Sequence, residues 1–238
     1  MKFVLIHGAW HYAELFEATA QPIRDAGHEV FIPTLYGNAP GDPKDIGLQA
    51  VIDKAVDYFV ENNLDDVAVM GHSYGGMIIT GLADRIPERI RRLVYWNAFV
   101  PQDGEALNDM VPAHYVSLFD TLRASDGGVE LPFEIWREAF FNDGSLEAAK
   151  EAYELLVAHP YKTFEDPISL QKNPSEFELP KSYINCTEDT ALPHSLTWHP
   201  RLSEKLGLFR LYQIPGSHEL CFTNPKLLGS TVLEAGLD

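Results

Sequence analysis

A serine, an aspartate and a histidine stand at three places where this chain leaves a short apolar run and enters a turn. Ser73 lies in Met-Gly-His-Ser-Tyr-Gly-Gly-Met (70–77). Asp189 lies in Tyr-Ile-Asn-Cys-Thr-Glu-Asp-Thr-Ala-Leu-Pro (183–193), and His218 in Ile-Pro-Gly-Ser-His-Glu-Leu (214–220). A serine hydroxyl is a weak nucleophile until a base takes its proton. An imidazole is a base that works near neutral pH, and a carboxylate on its far nitrogen fixes the tautomer and stabilises the imidazolium that forms. If the three meet, the chemistry available is attack of Ser73 on a carbonyl carbon.

The Gly-x-Ser-x-Gly pattern alone says little, because chance supplies it in roughly one chain in ten at ordinary Gly and Ser frequencies. Its setting says more. Gly71-His72-Ser73-Tyr74-Gly75 follows a predicted strand and opens a predicted helix, the sharp strand-to-helix turn that holds a serine hydroxyl out at the edge of a sheet. The glycines are needed because a side chain on either would collide as strand and helix converge. The Tyr74 N–H stands at a helix start, where backbone donors lack internal acceptors and favour negative charge. It is half of an oxyanion hole. After the first strand, His7-Gly8-Ala9-Trp10 makes a turn whose Ala9 N–H is the candidate second donor. The competing reading of the stretch is a glycine-rich turn with a capping serine. The Asp189 and His218 turns at other strand ends weigh against it.

These positions need a scaffold of strands and helices. Residues 3–6, 28–32, 67–70, 92–96, 183–186 and 209–214 read as strands, the third closing on the Ser73 turn. Apolar residues recur at helical spacing over 12–26 (Phe16, Ala20, Ile23), 45–62 (Leu48, Ile52, Ala55, Phe59) and 74–86, and a last helix is expected from about Pro225. Residues 34–44, rich in Gly, Pro and Asn, read as loop. Alternation of continuous apolar strands with helices predicts an α/β fold: a mostly parallel sheet of about six strands with helices on both faces. Such sheets bind ligands at the carboxyl ends of their strands. The alternation stops between about Pro101 and Pro180. Residues 101–180 are therefore expected to be an inserted helical lid on a single-domain core formed by 1–100 and 181–238. Its Phe133, Trp136, Phe140, Phe141, Tyr153, Tyr161 and Phe164 are expected to form mainly a small core of the lid itself.

Composition narrows the alternatives. The chain has 238 residues, 45% of them hydrophobic, enough for a substantial core. Its net charge of −17 disfavours nucleic acid and anionic lipid as partners. No apolar run approaches the ~18 residues of a membrane span, and the four apolar residues before His7 are too few for a secretory signal. Cys186 and Cys221 form no disulfide framework and read as two buried thiols. A soluble, cytoplasmic protein is expected. No Gly-x-Gly-x-x-Gly follows a strand and no phosphate-binding glycine loop occurs, so no cofactor is expected. His11, His194 and His199 are scattered without metal-ligand spacing, so no metal site is expected. His7 and His72 read as packed or supporting histidines, and Glu188 as the lesser candidate for the acid.

The motifs Phe-Val-Leu-Ile-His-Gly-Ala-Trp (3–10), Val-Met-Gly-His-Ser-Tyr-Gly-Gly-Met (69–77), Cys-Thr-Glu-Asp-Thr-Ala-Leu-Pro (186–193) and Pro-Gly-Ser-His (215–218) resemble a branch of the α/β-hydrolases. That branch includes plant methyl-ester esterases, hydroxynitrile lyases and many bacterial esterases. The order Ser, Asp, His is the one this architecture uses. The resemblance implies Ser73 as nucleophile, His218 as base, Asp189 as acid, and the Ala9 and Tyr74 amides as oxyanion hole. It admits a homodimer. The chain also departs from the branch. It continues with His11-Tyr12-Ala13-Glu14 where bacterial members often have His-Gly-x-Trp. Asn97 stands where many members have Asp, which leaves Asp189 as the acid. Gly8 and Glu219 stand where the lyases have threonine and lysine. The expected activity is hydrolysis of a small, largely apolar carboxylic ester or lactone through an acyl-enzyme. The alternatives are a lyase or cofactor-free C–C or oxygen-dependent enzyme at the same site, or a non-catalytic ligand receptor.

Overall fold

A computed structural model of the protein describes residues 1–237. In chain order the elements are β1 (Lys2–Ile6), α1 (Glu17–Asp25), β2 (Glu29–Phe31), α2 (Leu48–Glu61), β3 (Val67–His72), α3 (Gly75–Arg85) and β4 (Ile90–Trp96). There follow α4 (Ala113–Leu122), β5 (Gly128–Val129), α5 (Phe133–Ala139), α6 (Leu146–Tyr153), β6 (His159–Pro160) and α7 (Lys162–Glu165). The chain then returns through β7 (Lys181–Cys186), β8 (Arg210–Ile214), α8 (Leu220–Thr223) and α9 (Pro225–Gly236). Six strands form one sheet in the order β2-β1-β3-β4-β7-β8, every neighbouring pair parallel.

Strand residues alternate between two cores because successive side chains point to opposite faces. Phe3, Leu5, Ala68, Met70, Val94 and Trp96 pack with Ala20 and Ile23 of α1 and Leu228 and Val232 of α9. Val4, Ile6, Val69, Leu93 and Tyr95 pack on the other face with Val51, Ile52 and Phe59 of α2 and Met77, Ile78 and Leu82 of α3. Both faces are buried, which is why the central strands read as unbroken apolar runs. The edges behave differently. β2 pairs only with Lys2, Phe3 and Val4 and ends before Pro33, so it is shorter than the 28–32 run expected. The stretch expected as one helix from residue 12 begins with a 3₁₀ turn (Ala13–Phe16), and α1 follows it. α9 starts at Pro225, where the Asn224 side chain accepts the Leu227 N–H as its cap.

Between Trp96 and Lys181, no described residue joins the main sheet. That segment holds α4 to α7 and the antiparallel β5–β6 pair. Its aromatics do not make a core apart. Phe119, Trp136, Phe140, Phe141 and Phe164 are buried in the same continuous cluster as Val69 and Tyr95 of the sheet. The inserted segment is thus welded to one face of the fold.

The glycines of the β3–α3 turn are required by contact. A Cβ on Gly71 would lie 2.7 Å from the Gly75 carbonyl oxygen, and one on Gly75 would lie 2.8 Å from the carbonyl oxygens of Ile6 and His7. Backbone cannot swing away as a side chain can. Gly75→Ala is expected to destabilise the fold by about 1–3 kcal/mol, the range for overpacking a filled interior. Urea unfolding followed by circular dichroism checks this through a lowered midpoint at unchanged slope.

Candidate active site

Ser73 follows the last residue of β3 with φ of +52°, a left-handed conformation that non-glycine residues seldom adopt. The turn is held by backbone bonds on every side. Ser73 N–H donates to Trp96 O at 3.2 Å, and Ser73 O accepts from Gly76 N at 3.0 Å and Phe99 N at 3.1 Å. Such strain costs on the order of 1–3 kcal/mol and persists where surrounding structure fixes it. The residue is 8% exposed and lines a cavity. Ala9 and Tyr74 line the same cavity. Neither of their amide N–H groups is taken by an acceptor among the described residues.

His218 and Asp189, from the loops after β8 and β7, are hydrogen-bonded. His218 Nδ1 donates to Asp189 Oδ2 at 2.6 Å, and both side chains are buried. This leaves Nε2 as the ring nitrogen free to accept a proton. Burial lowers the His218 pKa, but the Asp189 charge, its hydrogen bond and the Glu219 charge outweigh it, so the pKa lies above the usual imidazole value. The ring is stacked on Trp198 at 5.1 Å and meets Phe140 edge-on at 5.3 Å; both aromatics also line the Ser73 cavity. No hydrogen bond joins Ser73 Oγ to His218 among the described residues. Such bonds are often long before substrate binds. Glu188, the other carboxylate of the loop, is exposed.

Asn97, after β4, takes a part the sequence did not reveal. Its Oδ1 accepts the Cys186 N–H at 2.7 Å, and its Nδ2 donates to Asp189 Oδ2. Asp189 Oδ1 accepts the Ala191 N–H at 2.8 Å. The carboxylate therefore has three donors and one orientation. An Asp at 97 would set two carboxylates against each other, whereas Asn supplies a donor.

The histidines around Ser73 also have defined tasks. His72 stacks on Trp96 at 3.8 Å, and its Nε2 donates to the His218 carbonyl at 3.0 Å, which ties the two loops together. His7 Nδ1 donates to Gly8 O at 2.8 Å, while its Nε2 accepts the Leu35 N–H at 2.9 Å. Gly8 O belongs to the same peptide unit as the Ala9 N–H, so His7 fixes the plane in which that donor points. Burial, the largest influence, pushes the His7 pKa down to about 3 and keeps the ring neutral in this role.

Residues 3–228 match the family described as "Alpha/beta hydrolase family". The chain belongs to the α/β-hydrolases. An extracellular α/β-hydrolase from a Paenibacillus species, described as sharing structural and functional homology with tobacco salicylic acid binding protein 2, superimposes with a TM-score of 0.96 at 34% identity over 100% of both chains. A carbendazim-hydrolyzing esterase of Nocardioides sp. (strain SG-4G) is 45% identical over 114 residues, 47% of each chain. A pyrethroid hydrolase of Sphingobium wenxiniae is 25% identical over 97% of this chain and 86% of its own. Ser73, Asp189 and His218 all lie beyond the carboxyl ends of strands, β3, β7 and β8. No described helix is long and apolar enough to cross a membrane.

The Asp189 charge is what lifts the His218 ring against burial. Asp189→Asn is therefore expected to lower the His218 pKa. Titration of the His218 ring protons by NMR reads this without turnover, and an unmoved midpoint would contradict it.

Proposed function

We propose that the protein is a serine esterase acting on a small, largely apolar carboxylic ester or lactone. The observation that carries this is the bonded His218–Asp189 pair, its ring packed on Trp198 and Phe140 of the cavity that holds a strained Ser73 and two residues with unclaimed backbone donors. The walls of the cavity agree with the substrate class. Trp10, Phe99, Leu107, Phe119, Leu192 and Trp198 surround Ser73, and no charged side chain lines the space. The family and the names of the relatives, esterase and hydrolase, support the same reaction type.

In the proposed reaction His218 Nε2 takes the Ser73 proton as Oγ attacks the carbonyl carbon. The Ala9 and Tyr74 amides bind the oxyanion, and loss of one such donor typically costs about 2.7–4 kcal/mol of transition-state stabilisation. Asp189 holds the imidazolium. His218 then protonates the leaving alcohol, and a water activated by the same nitrogen releases the acid. Residues 101–180 act as the lid, contributing Tyr115, Phe119, Phe140 and Phe164 to the cavity wall. Their contact with substrate excludes water and strengthens the electrostatics within. The lyase alternative loses ground at Glu219, which puts a carboxylate where departing cyanide would need a cation. A cytoplasmic location is kept in this proposal on the two free, buried thiols. The Paenibacillus relative is extracellular, and recovery of the protein from culture medium over intact cells would overturn that part.

Ser73→Ala is expected to lower kcat on p-nitrophenyl esters by at least about 10³-fold. A fluorophosphonate should label Ser73 in the wild type, read by peptide mass spectrometry. Full activity in the variant, or no labelling, would refute the acyl-enzyme. His218 must be neutral to act as base. Since its pKa is raised, kcat/KM should fall with decreasing pH through a midpoint above the ordinary imidazole value of about 6.5. A pH–rate profile with its acid limb below that value would contradict the assignment.

A further inference from the structure

Glu219 follows the proposed base and is 1% exposed, yet the reaction above gives its side chain no step. Burying a carboxylate is costly unless partners compensate it. Its partners come from separate parts of the chain. Oε2 lies 2.8 Å from His11 Nε2, 208 residues away, and accepts a weak contact from Cys221 Sγ at 3.8 Å. Oε1 accepts the Trp136 indole N–H from α5 at 3.3 Å. The Glu219 backbone N–H donates to Phe140 O at 3.3 Å and to Ser217 Oγ at 3.2 Å.

His11 carries the connection onward. Its Nδ1 lies 2.7 Å from Ala9 O, and since a carbonyl only accepts, Nδ1 bears the proton. Asn38 Nδ2 donates to His11 O at 2.9 Å and anchors the same turn. The Ala9 residue is thus gripped at both peptide units, by His7 on one side and His11 on the other. One buried carboxylate links the loop bearing the base, the loop bearing an oxyanion donor, and the inserted segment whose Phe140 faces both the His218 ring and the cavity.

We propose that Glu219 is a positioning residue that, through His11 and Trp136, locks the Ala9 loop and the inserted segment in register with His218. This rests on the esterase reading. The His11, Glu219 and Cys221 donor atoms all lie within 4.8 Å of one another, but their contacts are spent on one another and on Ala9 and Trp136, so the cluster acts as a clasp. A clasp of this kind serves geometry, because displacing a donor by about 1 Å can cost on the order of 10²-fold in rate. The titratable groups facing His218 are Asp189, Glu219 and His72, whose ring centre is 4.6 Å away. Facing Glu219 are His11 and Cys221. Burial holds His72 and Cys221 neutral, and with His11 Nδ1 protonated the His11–Glu219 contact holds one proton between them, so the pair offsets its own charge and its part is geometric.

Two substitutions separate the parts. Glu219→Gln keeps the shape, an oxygen for Trp136 and an amide N–H for His11 Nε2, and so keeps the clasp. It should hold kcat within about threefold of the wild type. Glu219→Met removes every side-chain hydrogen bond at similar volume. It should lose about 10–100-fold in kcat with KM changed less than about threefold. If that variant fails to fold by circular dichroism, Trp136→Phe, which deletes the indole donor, should lower kcat and leave the His218 titration in place. A folded Gln variant that loses as much kcat as the Met variant, or a folded Met or Phe variant with wild-type kcat, overturns the proposal. Fluorophosphonate labelling of wild-type Ser73 runs alongside. Absent labelling refutes the esterase reading, whereas full labelling with unchanged Met and Phe kcat refutes the positioning role alone.

Discussion

The convergence of β3 and α3 with no room for a side chain at Gly71 or Gly75 is the constraint from which the site follows. Carbonyl oxygens of Ile6, His7 and Gly75 occupy the space that Cβ atoms would need. The chain can pass this point only by a tight reversal, and the reversal puts Ser73 in the left-handed region with φ of +52°. The same reversal begins α3, so the Tyr74 N–H is an unclaimed donor beside the Ser73 hydroxyl. It also brings the end of β1 alongside, so that Ala9 lines the same cavity as Ser73 and Tyr74. The serine and the proposed oxyanion donors are consequences of one steric fact, and their relative placement does not depend on flexible side chains.

The loops around this turn are held in place by specific polar contacts. The Asp189 carboxylate is gripped by His218, Asn97 and the Ala191 amide. The peptide planes of the Ala9 loop are held by His7 and His11. Burial separates the histidines by charge. His7, His72 and His159 have lowered pKa values, with desolvation the largest cause in each. His218 is equally enclosed, yet its pKa is raised, because a carboxylate is bonded to its ring. Neutral histidines serve as donors and packing, and the one whose basicity is raised packs on Trp198 and Phe140, which line the Ser73 cavity. Pairs of environments that push like groups apart are how a fold assigns acid and base roles.

The sheet was legible because its signal is local. Side chains on two buried faces force continuous apolar runs, and glycines and prolines mark where those runs end. The positions of Ser73, Asp189 and His218 after such runs were legible for the same reason. What escaped was contact between polar residues distant in the chain. Asn97 reads as the loss of a carboxylate, and only its reach to Asp189 shows that it contributes a donor. His11 reads as a scattered histidine, because its meaning depends on Glu219 at the far end of the sequence. The aromatics of residues 101–180 read mainly as a core of their own, and they do pack on one another, Trp136 on Phe141 and Tyr153 among them. Periodicity reports which face of a helix is apolar and is silent on what that face meets; here it meets the sheet's own core.

Gly8 illustrates how the frame restricts chemistry beyond fixing the fold. A Cβ there would approach His72 Nδ1 to 2.9 Å and Ser73 Cβ to 3.2 Å. His72 cannot retreat, since it is stacked on Trp96 and bonded to the His218 carbonyl. A branched hydroxyl residue at this position, as in the lyases this branch contains, would press on the serine and on the histidine that ties the loops. With glycine, neither contact arises. Glu219 stands where the lyases of this branch have lysine, and its carboxylate is engaged by His11 and Trp136. Under the proposed esterase reading, these two residues bias the shared scaffold toward acyl transfer without a covalent contribution, Gly8 by leaving room beside Ser73 and Glu219 by withholding a cation.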